Sequence, residues 1–293
     1  KNDDNKAKIA AEGGITAVLA AMSKHTDHAG VQVPSCRALG FLASIDDDNK
    51  AKIAAEGGIT LVLAAMSKHT DHADVQEQGC RALGCLATEN DDNKAKIAAE
   101  GGIKAVLTAM SKHTDHAGVQ EQVCRALFFL ASINDDNKAK IAAEGGIKAV
   151  LTAMSKHTDH AGVQEQGCWA LCFLAAENDD NKAKITAEGG ITAVLAAMNK
   201  HTDHAGVQER GCLALGCLAD KNDDNKAKIA AEGGITAVLA AMSKHTSHAD
   251  VPKGGCLALG QLASINDDNK AKIAAEGGIT AVLAAMSKHT DHA

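Results

Sequence analysis

Residues 5–22, "NKAKIAAEGGITAVLAAM", and the segment that follows them in the next copy, "VQEQGCRALGCLA" (75–87), decide the fold of this 293-residue chain. "NKAKI" begins at Asn5, Asn49, Asn93, Asn137, Asn181, Asn225 and Asn269, so the step is 44 residues throughout. Self-similarity at a fixed period of this size marks a solenoid, in which each unit buries its apolar face only by stacking on its neighbours.

Three segments fill one period. "NKAKIAAE" (5–12) follows the acidic turn "NDD", where Asp3 or Asp4 can cap it, and stops at Gly13-Gly14, which predicts a helix of about two turns. "ITAVLAAMSKH" (15–25) sets Ile15, Val18, Leu19 and Met22 on one helical face and ends near "HTDH". The third segment starts between Asp27 and Gly30 and runs to about Ala43, with Val31, Cys36, Leu39 and Leu42 inward. No segment alternates as a strand would.

Short helix, Gly-Gly turn, helix, corner and longer "ALxxLA" helix together resemble the armadillo repeat family. The resemblance spans residues 1–293 as a single solenoid of six full periods and a partial seventh starting at Asn269. HEAT repeats are the near neighbour, less favoured because they lack the short first helix. The family implies an all-α, right-handed superhelical solenoid with three helices per repeat, whose third helices line a concave groove that binds a partner segment.

Composition agrees with a repeat scaffold and excludes several function classes. Hydrophobic residues make up 45% of the chain but aromatics only 2%, so small aliphatic side chains must fill the core. Thirty basic against 37 acidic residues give a net charge of −7. That charge opposes general nucleic-acid binding, and the few aromatics leave no base-stacking platform. No apolar run approaches the roughly 18 residues of a membrane span, and no N-terminal signal segment is visible, although a chain starting at Lys1 leaves a removed leader open. Cys36, Cys80, Cys124, Cys168, Cys212 and Cys256 recur at one core position per repeat. They read as reduced, buried thiols of an intracellular protein, cytoplasmic or nuclear.

The third helices carry the functional signal. Val31, Cys36, Ala38, Leu39, Leu42 and Ala43 are unchanged in all six copies and fall within one arc of roughly 160°. Val33, Pro34, Arg37, Gly40 and Phe41 and their equivalents change and occupy the opposite arc; the Ser35 position alone breaks the rule. Exposure by itself accounts for such tolerance. Against it, the "SKHTDH" corner should be equally exposed and is nearly constant, which points to diversification for binding. One candidate row is Arg37, Arg81, Arg125, Trp169, Leu213 and Leu257; the next is Phe41, Cys85, Phe129, Phe173, Cys217 and Gln261. Glu77, Glu121, Glu165 and Glu209 flank them, within i, i+4 reach of the Arg row. Such a surface suits an amphipathic or acidic-apolar protein or peptide segment. Armadillo proteins that hold extended peptides commonly carry Trp and Asn ladders on the third helix. Here only Trp169 remains and no Asn occupies the Asn slot, which puts binding of extended basic peptides in doubt.

The other recurring groups have plainer readings. His25, Asp27 and His28 of each "HTDH" offer metal-ligand types, but a helix corner explains them equally: His25 closes the second helix and Asp27 caps the third. Protonating all 14 His would move the charge from −7 to +7, linking solubility or self-association to pH near the His pKa of about 6.5. "DDNK" lacks the Gly and distal Glu of a calcium loop, and "EGGI" lacks the Lys-Ser or Lys-Thr of a phosphate loop. Six equivalent cysteines provide no singular nucleophile. The chain therefore reads as a non-enzymatic interaction scaffold without metal or cofactor. Two alternatives stay open. One is a structural or self-assembly module, consensus-like or artificial, whose ends stack on further copies; the other is a repeat fragment of a larger protein.

Overall fold

The computed structural model describes residues 8–44 and 46–288. It divides into two compact units, Lys1–Ala149 and Val150–Ala293, and all regular structure among the described residues is helical. In the N-terminal unit, residues 8–11 are helical and are followed by Gly14–Lys24 and Ala29–Ala43. Two complete repeats come next, Asp47–Ala55, Gly58–Lys68, Ala73–Ala87 and then Asp91–Ala99, Gly102–Lys112, Ala117–Ala131, followed by Asp135–Ala143. The division falls within Gly146–Lys156. The C-terminal unit continues with Ala161–Ala175, then two complete repeats, Asp179–Ala187, Gly190–Lys200, Ala205–Ala219 and Asp223–Ala231, Gly234–Lys244, Asp250–Ala263, and closes on Asp267–Ala275 and Gly278–Lys288. Three helices per 44-residue repeat, as in an armadillo solenoid, is thus what forms.

The first helix is held by its polar letters. Its N-cap is Asp46, Asn90, Asn134, Asn178, Asn222 or Asn266, each accepting a backbone N–H within the first turn. The cap thus falls one residue before the equivalent of Asp3 and two before that of Asp4, which corrects the expected Asp cap. Asp47 and Asp48 and their equivalents sit inside the first turn, where negative charge suits the helix dipole. The capping residues expected for the first copy, Asp3 and Asp4, lie outside the described residues, as does the start of its "NKAKI". Between first and second helices, Gly57 adopts φ 81°, a conformation that costs a residue with Cβ about 1–2 kcal/mol. At Gly58, a Cβ would lie 2.8 Å from Ile53 O, so both glycines are required.

Apolar packing follows the constant arc. Cys36, Leu39, Leu42 and Ala43 and their partners Ile15, Leu19 and Met22 on the second helix are buried, each large aliphatic side chain stabilising by roughly 1.5–3 kcal/mol. Within each unit the third helices pack most extensively on one another. The Ser35 exception has a steric cause. At the equivalent Gly79, Gly167, Gly211 and Gly255, a Cβ would lie within 2.7 Å of the sulfur of Met66, Met154, Met198 or Met242, so small residues dominate a site that belongs to the core.

Buried polar side chains join the helices of a repeat, and one lysine joins successive repeats. Gln120, 2% exposed, donates from Nε2 to Met110 O at 2.9 Å and His113 O at 2.8 Å, closing the carbonyl end of the second helix. Lys94, 3% exposed, reaches Asp91 Oδ1 at 2.8 Å and donates to Ser132 O, at the end of the third helix of its own repeat, at 2.9 Å. Lys96 donates back to Ala54 O at 2.7 Å. Lys182 and Lys226 make the matching forward bonds in the C-terminal unit. Buried backbone carbonyls need donors, and the "NKAKI" lysines supply them.

Candidate functional site

Each unit presents its changing third-helix residues as a compact set. In the N-terminal unit the ring of Phe41 is flanked by two guanidinium groups: Arg37 Cζ lies 5.6 Å from its centroid and Arg81 Cζ, from the next repeat, 4.7 Å. Arg125 Cζ lies 5.6 Å from the Phe129 ring on the same helix. Phe41 is 41% exposed, Arg125 and Phe129 are half-buried, and Cys85 is buried. Guanidinium over an aromatic face is favourable by about 0.5–1 kcal/mol at exposed sites. Arg81 Nε is buried without a hydrogen-bond partner.

In the C-terminal unit Trp169 meets Phe173, one turn on, edge to face at 4.8 Å and 75°. Arg210 reaches from the next third helix to place its Cζ 3.6 Å from the Trp169 ring centroid. Leu213 is half-buried, Leu257 is 54% exposed, and Gln261 is half-buried. Cys172 Sγ and Cys217 Sγ are 2.6 Å apart.

Sequence reasoning missed Arg210. Its signal is the change from "VQEQ" to "VQER" at 207–210, a position whose side chain crosses to the preceding repeat. The expected i, i+4 pairing of Glu77 with Arg81 also gives way to other contacts. Glu77 accepts from Gln78 Nε2 at 2.9 Å and lies 3.9 Å from His116 Nδ1. Glu165 lies 3.8 Å from His204 Nδ1, and Glu209 pairs with its neighbour Arg210 at 3.0 Å. Burial pushes the Glu209 carboxyl up, against the pull of Arg210.

The "HTDH" corner is a joint between repeats. His113 Nε2 lies 2.8 Å from Thr70 O, and Lys112 donates to Thr70 Oγ1 and Asp71 Oδ1 at 3.0 Å each. Lys200 pairs with Asp159 at 2.6 Å, and the same contact lowers the Asp159 carboxyl. His25 closes the second helix as expected. The third-helix cap, however, falls on the second histidine rather than on Asp27: His116, His160 and His204 Nδ1 each accept a backbone N–H. Constancy of this corner therefore reflects bonds to the neighbouring repeat, and it no longer weighs against simple exposure of the variable arc. Among the described residues, Asp74, Glu77 and His116 are the three potential metal ligands that come within 4.8 Å of one another. Only one "HTDH" histidine takes part, and its Nδ1 already serves as the cap.

A cleft between second helices, lined by Leu63, Met66, Thr70, Gln76, Lys104 and Thr108, lies apart from both rows. No helix among the described residues is long and apolar enough to cross a membrane.

A family model described as LRRK2 ARM repeat matches residues 133–293. No curated protein matches the sequence. Among solved structures, an engineered protein is 21% identical over 86% of this chain and 97% of its own, with a TM-score of 0.74. A designed armadillo repeat protein in complex with the peptide (KR)4 is 17% identical over 84% of this chain and 98% of its own, with a TM-score of 0.69. Computationally designed armadillo repeat proteins for modular peptide recognition are 19% identical over 84% of this chain and 98% of their own, with a TM-score of 0.65. At these identities the likeness concerns the fold.

Proposed function

The chain belongs to the armadillo repeat family, and on that premise we propose that it is a non-enzymatic scaffold whose third helices hold a segment of a partner protein. The residues proposed to make contact are Arg37, Phe41, Arg81, Cys85, Arg125 and Phe129 in one unit and Trp169, Phe173, Leu213, Cys217, Leu257 and Gln261 in the other. Because the 44-residue period continues unbroken through residue 149, residues 1–293 are read as one array.

The observation that carries this reading is the set of stacked guanidinium and aromatic groups, Arg37 and Arg81 on Phe41 and Arg210 on Trp169. Each combines an apolar face with a charged fork suited to a carboxylate. The fitting occupant is a segment in which acidic and apolar side chains alternate. A designed relative holds (KR)4; here the row itself bears Arg37, Arg81 and Arg125, so a basic peptide meets like charge. Nine cysteines held as thiols fit an intracellular, reducing setting.

A labelled peptide of alternating Glu and Leu tests the proposal by fluorescence anisotropy. Replacing Phe129, Trp169 and Phe173 together with Ala should abolish binding while far-UV circular dichroism is unchanged. Undiminished binding by that variant overturns it.

A further inference from the structure

We propose that Cys172 and Cys217 form a peroxide-oxidisable dithiol, a modification site that links two successive third helices of the C-terminal unit. Cys172 lies on Ala161–Ala175 and Cys217 on Ala205–Ala219. Their Sγ atoms are 2.6 Å apart, close to the bonded separation of about 2.05 Å in a disulfide.

Repeat geometry produces this meeting independently of the thiols. Cys172 occupies the position of Gly40, Gly84 and Gly216, and Cys217 occupies the position of Phe41, Phe129 and Phe173 in the following repeat. A Cβ built at Gly84 would lie 3.5 Å from Phe129 Cδ2, so the first position faces the second across the helix pair. In the N-terminal unit the corresponding partners are Gly40 with Cys85 and Gly84 with Phe129, which leaves no thiol pair there.

Three of the core cysteines are poorly placed to compete. Burial pushes Cys36, Cys124 and Cys212 up to about 12, which keeps these core thiols protonated and inert. Cys172 is buried and Cys217 half-buried, which makes Cys217 the sulfur that a small hydroperoxide reaches first.

In the first step the Cys217 thiolate attacks one peroxide oxygen. A sulfur–oxygen bond forms, the oxygen–oxygen bond breaks, and water leaves after protonation. The Cys172 sulfur then attacks Cys217 Sγ, forming the disulfide and expelling the sulfenic oxygen as a second water, with the Cys172 proton accounted for in that water. The two thiols together lose two electrons and hydrogen peroxide gains them. A dithiol reductant reverses the change by exchange. Because Trp169 shares a helix with Cys172 and Arg210 shares one with Cys217, the bond would fix the two helices that form the Arg210–Trp169 stack.

The test uses the full chain and needs no partner peptide, so it stands or falls apart from the binding proposal. Reduced protein is treated with hydrogen peroxide, quenched, denatured and titrated for thiols. Nine thiols before treatment should become seven, with the chain still monomeric on a non-reducing gel and tandem mass spectrometry joining Cys172 to Cys217. Cys172→Ser should lose one thiol, the Cys217 sulfenic acid left without a resolving sulfur, and Cys217→Ser should keep all its thiols, whereas Cys85→Ser should lose two as the parent does. The proposal is overturned by nine thiols surviving in the parent, by a link between any other cysteines or between chains, or by Cys217→Ser losing two thiols.

Discussion

Replacing Gln120 probes what makes the polar letters of this repeat constant. Its Nε2 donates to Met110 O and His113 O at 2.9 and 2.8 Å, and the side chain is 2% exposed. His113 O also accepts from His116 N at 3.0 Å, so it keeps a partner when Gln120 is lost. Met110 O lies in the last turn of its helix, where carbonyls lack intrahelical donors. Gln120→Leu preserves volume and leaves that carbonyl unsatisfied, at a cost of about 2 kcal/mol. For a cooperative unit of this size, that lowers Tm by roughly 4–8 °C. Gln120→Glu should cost more at pH 7, because an ionised carboxylate would face two carbonyl oxygens, and should recover part of the loss at pH 5, where the protonated acid regains one donor. Guanidinium unfolding followed by circular dichroism at both pH values measures each effect. A Leu variant within 0.5 kcal/mol of the parent, on the scale of surface changes, or a Glu variant as stable as the parent at pH 7, would refute the reasoning.

Two further outcomes follow from backbone and burial. Ile133 sits at φ 54° and is 85% exposed; Ile133→Asn should raise stability by about 1 kcal/mol in thermal unfolding, since a β-branched residue is strained there, and a loss would contradict this. Burial raises Cys36, Cys124 and Cys212 from 9.0 to about 12. Above pH 9 the unfolded chain therefore binds fewer protons than the folded one. The stability these thiols confer is complete below pH 9 and is lost as pH climbs toward 12, by about 1.4 kcal/mol per pH unit for each. The guanidinium midpoint should be lower at pH 10 than at pH 8, and equal midpoints would count against thiol burial.

The period and helix faces were legible because they rest on repetition and on the spacing of Ile15, Leu19, Met22, Cys36 and Leu39, which demand one arc of one helix. Bonds between helices were not. Lys94 and Gln120 look like ordinary surface residues in the sequence, and only the backbone of the neighbouring helices shows that they are buried donors. For the same reason the letters around Asp27 suggest a cap, whereas Lys68 of the next repeat claims it. In the candidate site, composition of the rows was visible in the letters, but Arg81 on Phe41 and Arg210 on Trp169 are contacts between repeats, set by how far one helix crosses the next.

Trp169, the sole tryptophan, reports on its own surface. Its emission should be followed while the chain is titrated with two peptides of equal length, one alternating Glu with Leu and one alternating Lys with Leu, at low and at physiological salt. The account predicts a saturable change with the acidic peptide, weakened by salt, and none with the basic one. Equal responses to both peptides, a response to the basic one alone, or no response to either would contradict it.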